Sequence, residues 1–144
     1  MSSILVLNGP NLNRLGTREP EVYGSATLDD LTDELTAISP TGIEVRQTND
    51  EGELIGWLQE AVDSRSDVIL NPAAFTHYSY ALRDAAAMVT DAGLLLLEVH
   101  ISNPHAREEF RHTSVISGVA SGVIMGLGFA SYALALQYIR SKRG

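Results

Sequence analysis

The sequence predicts an α/β fold in three layers: a doubly wound, five-stranded parallel sheet with helices on both faces. Short apolar runs alternate with helical patterns five times along the chain, which is the order that βαβ units with right-handed crossovers produce. Three of the apolar runs are continuous, as in strands covered on both faces. Polar residues follow each of these three runs, and parallel strands bring such residues together at one edge of the sheet.

The first half of the chain contains two strand and two helix patterns. Ile4–Leu7 predicts the first strand, which ends in the turn residues and side-chain amides of Asn8–Asn13. A helix is predicted over Thr27–Ile38, where leucines recur at helical spacing after a capping-box pattern. Ile43–Gln47 alternates as a second strand, and Asp50–Val62 carries the apolar face of a second helix.

The second half repeats this order. Val68–Leu70 predicts the third strand, Tyr78–Val89 the third helix and Leu94–Leu97 the fourth strand. Gly122–Leu127 predicts the last strand, and a helix is expected over Ser131–Arg140. The alternation of strands and helices favours flavodoxin-like topology.

No charged residue occurs from Thr113 to Ile139, a length that could span a membrane. The acids, amides and histidines upstream instead favour a strand and a buried helix of a soluble α/β domain. We therefore predict no membrane segment, and we expect the apolar C-terminal helix to be buried in an oligomer.

Composition limits the function further. With 144 residues, of which 44% are hydrophobic, the chain is expected to form a single domain over residues 1–144. Its net charge of -8 argues against a nucleic-acid surface, which needs clustered lysine and arginine. The absence of cysteine and of a basic, apolar leader predicts a cytoplasmic protein. The one lysine, Lys142, lies in the C-terminal run, so we expect no Schiff base.

Two other protein classes with this architecture fit poorly. A receiver domain needs paired acids after its first strand, where this chain has Asn8 and Asn11. A flavin- or dinucleotide-binding domain needs a hydroxyl- or glycine-rich phosphate loop, and no G-x-G-x-x-G follows the first strand.

Glu98 and His100 are the first candidate catalytic residues. They are two positions apart at the end of a strand, so their side chains point to the same side and the carboxylate can fix one imidazole tautomer. His100 is then a candidate acid or base. Two alternatives are a structural polar pair and a zinc site formed with His105 and His112, although the spacing matches no standard ligand pattern.

The segment from about residue 14 to 25 predicts a mobile loop that carries functional side chains, because it has several Gly and Pro residues and no periodic apolar face. Taken singly, Arg18 is a candidate surface charge and Tyr23 a packing aromatic. Together they indicate a base, because an arginine beside a phenol stabilises the phenolate.

A third polar cluster follows the third strand. Asn71 and His77 could hydrogen-bond to ligand hydroxyl groups, and the small Ala73 and Ala74 between them allow close approach. His77 could equally be a histidine at a helix start. Asp84, inside the predicted third helix, is by itself typical of a solvated or salt-bridged charge.

Four motifs together resemble the type II 3-dehydroquinate dehydratases over nearly the whole chain. They are Asn8-Gly9-Pro10-Asn11-Leu12-Asn13, Arg18-Glu19-Pro20-x-x-Tyr23-Gly24, Asn71-Pro72-x-x-Phe75-Thr76-His77, and Glu98-x-His100-x-Ser102-Asn103 with His105-Ala-Arg-Glu-Glu-Phe-Arg111. The resemblance implies a flavodoxin-like fold and a dodecamer built as a tetramer of trimers. It implies dehydration of 3-dehydroquinate to 3-dehydroshikimate in the shikimate pathway, without cofactor or metal.

The resemblance also implies the roles of individual residues. Tyr23 would remove the proton beside the ketone, with Arg18 keeping it ionised, and a water near Asn11 would stabilise the enolate. His100, oriented by Glu98, would protonate the departing hydroxyl in a stepwise elimination. Further implied contacts are hydroxyl binding by Asn71, His77 and Arg111, carboxylate binding by the backbone amides of Ile101 and Ser102, and insertion of Asp84 into a neighbouring subunit's site.

An alternative of a different class is a catalytically inactive oligomer that binds a polyhydroxylated carboxylate. The sequence disfavours this alternative, because an active site that has lost its function usually lacks at least one catalytic residue. Here all four candidates are present: Arg18, Tyr23, Glu98 and His100.

Overall fold

The structure is a computed structural model that describes residues 3–143, and it confirms the predicted flavodoxin-like sheet. The strands are β1 (Ile4–Asn8), β2 (Ile43–Gln47), β3 (Asp67–Asn71), β4 (Leu96–His100) and β5 (Gly122–Met125). Their order in the sheet is β2-β1-β3-β4-β5, and all neighbouring strands are parallel. Because the chain moves outward from β1 in both directions, the strand order reverses beside β1, where open α/β sheets bind ligands.

Helices cover both faces of the sheet, as the three-layer prediction requires. They are α1 (Pro20–Tyr23), α2 (Leu28–Ile38), α3 (Glu51–Ser64), α4 (Tyr80–Asp91) and α5 (Ala130–Arg143). Helices α3 and α4 pack on each other and share one buried apolar cluster with the sheet. Helices α2 and α5 do the same on the opposite face.

Side-chain caps mark the starts of α2, α3 and α4. In α2 the predicted capping box forms: Asp30 N–H donates to Thr27 Oγ1 at 3.2 Å, and Thr27 N–H donates to Asp30 Oδ2 at 2.8 Å. Such a cap stabilises a helix by about 1 kcal/mol. Helix α4 begins at Tyr80 rather than at Tyr78, because Ser79 Oγ accepts the N–H of Leu82 and so acts as the N-cap.

Strand β4 lies two to three residues later than predicted. Leu94 is not part of the strand: after Gly93 turns the chain at φ 81°, the N–H of Leu94 bonds back to Val89 O in α4. The strand then runs from Leu96 to His100, and Glu98 pairs in register with Leu70 of β3. Glu98 and His100 therefore lie on the strand itself, and His100 is its last residue.

The predicted 14–25 loop contains the one-turn helix α1, which the sequence pattern does not indicate. Glu19 adopts a left-handed conformation at φ 40°, and Pro20 then opens the helix at its first position, where proline needs no hydrogen bond. The turn was missed because four residues are too few for a periodic pattern. It presents Tyr23 at its C-terminal end.

The uncharged segment from residue 113 to 139 packs against the sheet. Ile116 and Tyr132 are fully buried in the apolar clusters on the two faces, and β5 ends at Met125 because Gly126 turns the chain at φ 88°. Within residues 3–143, no helix is both long enough and apolar enough to cross a membrane.

The ends of β1 and β3 approach each other closely at the carboxyl edge of the sheet. Asn8 and Asn71 are paired in register, and Gly9 N–H donates to Asn71 O at 2.8 Å. A Cβ atom on Gly9 would lie 2.7 Å from Pro72 O, so only glycine allows this approach. The polar residues that follow both strands therefore border one space.

Candidate active site

A cavity of about 220 Å³ lies at this edge of the sheet. Nine of the eleven predicted site residues line it: Asn11, Arg18, Tyr23, Asn71, His77, His100, Ile101, Ser102 and Arg111. Of the other two, Glu98 is buried against His100 and Asp84 lies elsewhere on the surface. The sequence prediction that the polar clusters converge on one cleft is therefore confirmed.

The loop after β1 presents Asn11 to the cavity through an unusual backbone conformation. Asn11 has φ 70°, a left-handed value that asparagine tolerates better than most residues. Its N–H donates to Asn49 Oδ1 at 3.0 Å, and Gln47 Nε2 donates to both Gly9 O and Asn49 Oδ1. The end of β2 therefore supports this loop, although neither Gln47 nor Asn49 was identified from the sequence.

Two arginines surround the side chain of Tyr23. The Arg18 guanidinium carbon lies 4.6 Å from the ring centroid. Arg107 Nη1 donates to the phenolic oxygen at 2.9 Å and to Ser102 Oγ at 3.2 Å. Arg18 was predicted from the sequence, whereas the direct contact of Arg107 was not; the only signal of Arg107 was its place in the fourth motif.

Glu98 and His100 form the hydrogen bond that their spacing predicts. His100 Nε2 lies 2.5 Å from Glu98 Oε2, and the Glu98 side chain is fully buried. Burial raises the pKa of Glu98, but the hydrogen bond and charge of His100 and the hydrogen bonds from Ser117 and Thr76 together outweigh burial and hold the pKa below its ordinary value. A carboxylate accepts only, so His100 carries a proton on Nε2 and its Nδ1 is the nitrogen left for a ligand.

Asn71 is held by a buried network that the sequence analysis did not identify. Its Nδ2 donates to the Tyr132 hydroxyl at 2.8 Å, and that hydroxyl donates to Asn8 Oδ1 at 2.6 Å. Asn71 Oδ1 accepts the N–H of Ala73 at 3.0 Å. One N–H of the amide remains for a ligand, because each Nδ2 carries two hydrogens.

His77 and Arg111 both line the cavity, and both contact the Phe110 ring. The Nδ1 of His77 is 2.8 Å from Thr113 O; because a carbonyl only accepts, Nδ1 carries the hydrogen and Nε2 is an acceptor. Arg111 Nε donates to Glu108 Oε1 at 2.9 Å, and its guanidinium lies over the Phe110 ring. Both side chains are thus oriented by neighbours before any ligand binds.

Asp84 does not reach the cavity of its own chain. It lies on the outer face of α4 with 69% of its side chain exposed, where it pairs with Arg83 at 2.9 Å. Its predicted role in a neighbouring subunit's site is not tested by one chain.

The histidines are not arranged as metal ligands. His105 and His112 pack ring against ring, with centroids 5.6 Å apart, whereas His100 bonds to Glu98. Among residues 3–143, no three His, Asp or Glu side chains are grouped as metal ligands.

Comparisons with known proteins agree over nearly the whole chain. The family model described as Dehydroquinase class II matches residues 2–140. A 3-dehydroquinate dehydratase from Bacillus licheniformis is 55% identical over 141 residues, which cover 96% of this chain and 95% of that protein. The similar enzyme of Salinispora tropica is also 55% identical, over 96% of this chain and 97% of its own.

Solved structures give the same result. The crystal structure of type II dehydroquinase from Propionibacterium acnes has a TM-score of 0.93 to this chain and 47% sequence identity, covering 98% of this chain and 97% of the other. Residues 2–140, which the family model matches, include every residue that lines the cavity.

Proposed function

Because the chain belongs to the class II dehydroquinase family, we propose that it dehydrates 3-dehydroquinate with Tyr23 as the base and His100 as the acid. It is a 3-dehydroquinate dehydratase, a hydro-lyase of the shikimate pathway. One observation carries the proposed mechanism: a tyrosine held by arginines and a histidine held by a carboxylate line the same cavity.

The base is Tyr23 as a phenolate. Positive charge beside the phenolic oxygen stabilises the ionised form, and two guanidinium groups lie there, that of Arg107 in direct contact and that of Arg18 at the ring face. Tyr23 takes the proton from the carbon beside the ketone, and the electron pair of that C–H bond forms the enolate. Arg18 and Arg107 also keep the phenolic oxygen in a fixed position.

The acid is His100. Glu98 stabilises the protonated ring through Nε2, and Nδ1 gives its proton to the departing hydroxyl. The C–O bond breaks, water leaves and the enolate electrons form the new double bond, so that His100 ends neutral with its Nε2 proton in place.

Cavity residues without a proton-transfer role bind and polarise the substrate. A water at Asn11 stabilises the enolate oxygen. Asn71, His77 and Arg111 bind the hydroxyl groups, which is consistent with the unused amide N–H of Asn71 and the acceptor Nε2 of His77. The backbone amides of Ile101 and Ser102, which line the cavity directly after β4, bind the carboxylate.

The mechanism needs no Schiff base. Lys142, the one lysine of the chain, lies in α5 with Nζ 5.5 Å from the Tyr138 ring, and it does not line the cavity. Acid–base elimination explains instead why the cavity combines a phenol, an imidazole and several guanidinium groups.

The active enzyme is an oligomer, proposed as a dodecamer of four trimers, in which Asp84 of one subunit completes the site of another. The exposure of Asp84 supports this, as does the apolar surface around it on α4, where Tyr80 and Met88 are exposed.

The two proton transfers can be separated by measurement. Product formation is followed by ultraviolet absorbance, since the product is a conjugated enone, and loss of the substrate proton is followed by exchange with deuterated water. Tyr23→Phe is expected to lower both by about 10²- to 10⁴-fold. His100→Asn is expected to lower product formation by a similar factor while exchange continues, because the enolate still forms.

Tyr138→Phe is the matched control, because it removes the same hydroxyl from a half-exposed residue outside the cavity; its turnover should be unchanged. A metal chelator should also leave wild-type turnover unchanged. Full activity in Tyr23→Phe would contradict the assignment of the base, and loss of exchange in His100→Asn would contradict the stepwise order.

A further inference from the structure

Hydroxyl groups from two separate segments surround the carboxylate of Glu98. Ser117 Oγ donates to Oε1 at 2.5 Å, and Thr76 Oγ1 donates to Oε2 at 2.6 Å. Ser114 Oγ lies 3.2 Å from Oε1 and 3.1 Å from Oε2. His100, Thr76 and Ser117 therefore give one fully buried carboxylate three donors, and the hydroxyl of Ser114 lies within reach as a fourth.

The directions of these hydroxyls are constrained by the backbone. Ser114 Oγ accepts the N–H groups of Ile116 and Ser117 at 3.1 and 3.0 Å, so its own hydrogen points to Glu98 or to Thr76. Val115 N–H also donates to Thr76 O at 2.7 Å, which ties the two segments together. Ile116 is fully buried and anchors the segment that carries Ser114 and Ser117.

Such an environment favours a negative charge at Glu98. A protonated carboxyl group must donate as well as accept, and one of the surrounding donors would have to turn away to receive its hydrogen. Hydrogen bonds to an ionised group are about twice as strong as those between neutral groups. The strand neighbours of Glu98 in register, Leu70 and Val123, are apolar and offer no compensating charge.

We propose that Thr76, Ser114 and Ser117 are positioning residues that fix the Glu98 carboxylate and keep the shared proton on the His100 imidazole. The inference rests on the proposed function of His100 as the acid. The three hydroxyl dipoles share the negative charge of Glu98, so the carboxylate attracts the imidazole proton less strongly. His100 then holds its Nδ1 proton less tightly and gives it more readily to the departing hydroxyl.

Several other charged or titratable groups face His100. In the active-site cavity they are Arg18, Tyr23, His77, Arg107 and Arg111, and in a second cavity beside it they are His105, Arg111 and His112. The arginines stay charged throughout, so Tyr23 and the histidines are the groups that can add to a pH profile. Because the chain has four histidines, the nitrogen resonances of His100 can be assigned by substituting the other three in turn.

Ser117→Ala and Thr76→Val test the proposal, since each removes one hydroxyl and little volume. Without one donor the Glu98–His100 pair should hold its proton more tightly. The NMR titration of His100 and the alkaline limb of kcat/KM should both move to higher pH by about one unit, and kcat should fall about 3- to 10-fold. Ser117→Thr and Thr76→Ser keep the hydroxyl and should restore both values.

Thr90→Val is the matched control, because Thr90 donates to the backbone carbonyls of Ala87 and Val119, and both the titration and kcat should be unchanged. Lower kcat with an unmoved His100 titration would overturn the proposal, because it would show a purely structural role. Ser114→Ala gives a third test if either variant fails to fold. Unchanged turnover in His100→Asn would instead refute the assignment of His100 as the acid. The titration of His100 distinguishes that result from one that contradicts only the proposed role of the hydroxyl groups.

Discussion

Arg107 Nη1 lies 2.9 Å from the phenolic oxygen of Tyr23, although the two residues are 84 positions apart in the chain. The contact joins the one-turn helix after β1 to the loop after β4, and it puts a second positive charge beside the proposed base. Arg18, on the ring face, cannot make the same directed bond in this arrangement.

Arg107→Leu is expected to lower kcat by about 10- to 100-fold, the effect of a charge-assisted hydrogen bond worth about 1.5–3 kcal/mol. Arg107→Lys should lose less, because it keeps the charge without the planar donor group. Steady-state kinetics of both variants, repeated in a Tyr23→Phe background, give the coupling energy. An equal loss in that background would show that Arg107 does not act through the phenol.

Gly9→Ala is expected to destabilise the fold by about 1–3 kcal/mol, because the new Cβ meets Pro72 O at 2.7 Å and both atoms are held by backbone. Activity should fall further than stability alone explains, since Asn11 and Asn71 border the displaced loop. Denaturant unfolding measures the first effect. Gly56→Ala, inside α3 with no neighbour near its Cβ position, is the matched control and should stabilise by about 0.5–1 kcal/mol.

Tyr132→Phe is expected to cost about 2–3 kcal/mol of unfolding free energy near neutral pH, because Asn8 Oδ1 and Asn71 Nδ2 each lose a buried partner. Tyr138→Phe, at a half-exposed position, should change stability by less than about 0.5 kcal/mol. Equal stabilities of the two variants would contradict the network.

Tyr132 should also make the stability of the fold depend on pH in the alkaline range. Burial raises the pKa of Tyr132 above its ordinary value of 10.0, and the hydrogen bond from Asn71 offsets only part of this. The unfolded chain therefore ionises first, and stability should fall as pH rises past about 10. Unfolding curves between pH 8 and 11 should show a smaller decline in Tyr132→Phe, and parallel declines would refute the assignment.

Glu98 should make stability depend on pH in the acid range, where stability falls as pH falls. Its folded pKa is lowered from the ordinary value of 4.5, because hydrogen bonds to the carboxylate outweigh the effect of burial. The unfolded state therefore binds the proton first, so this contribution to stability is present above pH 4.5 and is lost as pH falls through the folded pKa. Glu98→Gln should be less stable than wild type at pH 7, and its stability should fall less between pH 6 and 3.

The parts of the site that the sequence predicts are those carried by residues next to strand ends. Asn11, Asn71 and His100 each follow or end an apolar run, and parallel topology alone brings them together. The pairing of Glu98 with His100 follows from strand alternation. Helix α2 is equally local, because Thr27 and Asp30 cap it within one turn.

The parts that were missed depend on contacts distant in sequence or on backbone geometry. In the sequence Tyr132 is one of several residues in an apolar helix. Its hydroxyl finds a partner only because α5 packs beside Asn8. Ser114 and Ser117 look like ordinary loop residues until Ile116 anchors them below Glu98. The predicted start of β4 was wrong because Leu94 and Leu96 are equally apolar, yet the N–H of Leu94 bonds back to Val89 O after the turn at Gly93.

Asn8 and Tyr132 are 124 residues apart, so on the ribosome the end of the first strand is made long before the hydroxyl that binds it. Synthesis proceeds from the N-terminus at about 5–20 residues per second, and during that interval the hydroxyl that joins Asn8 to Asn71 does not yet exist. We therefore expect this part of the pocket wall to be completed only when α5 docks. A nascent chain that stops short of Tyr132 is expected to be a target for quality control rather than a partly active enzyme.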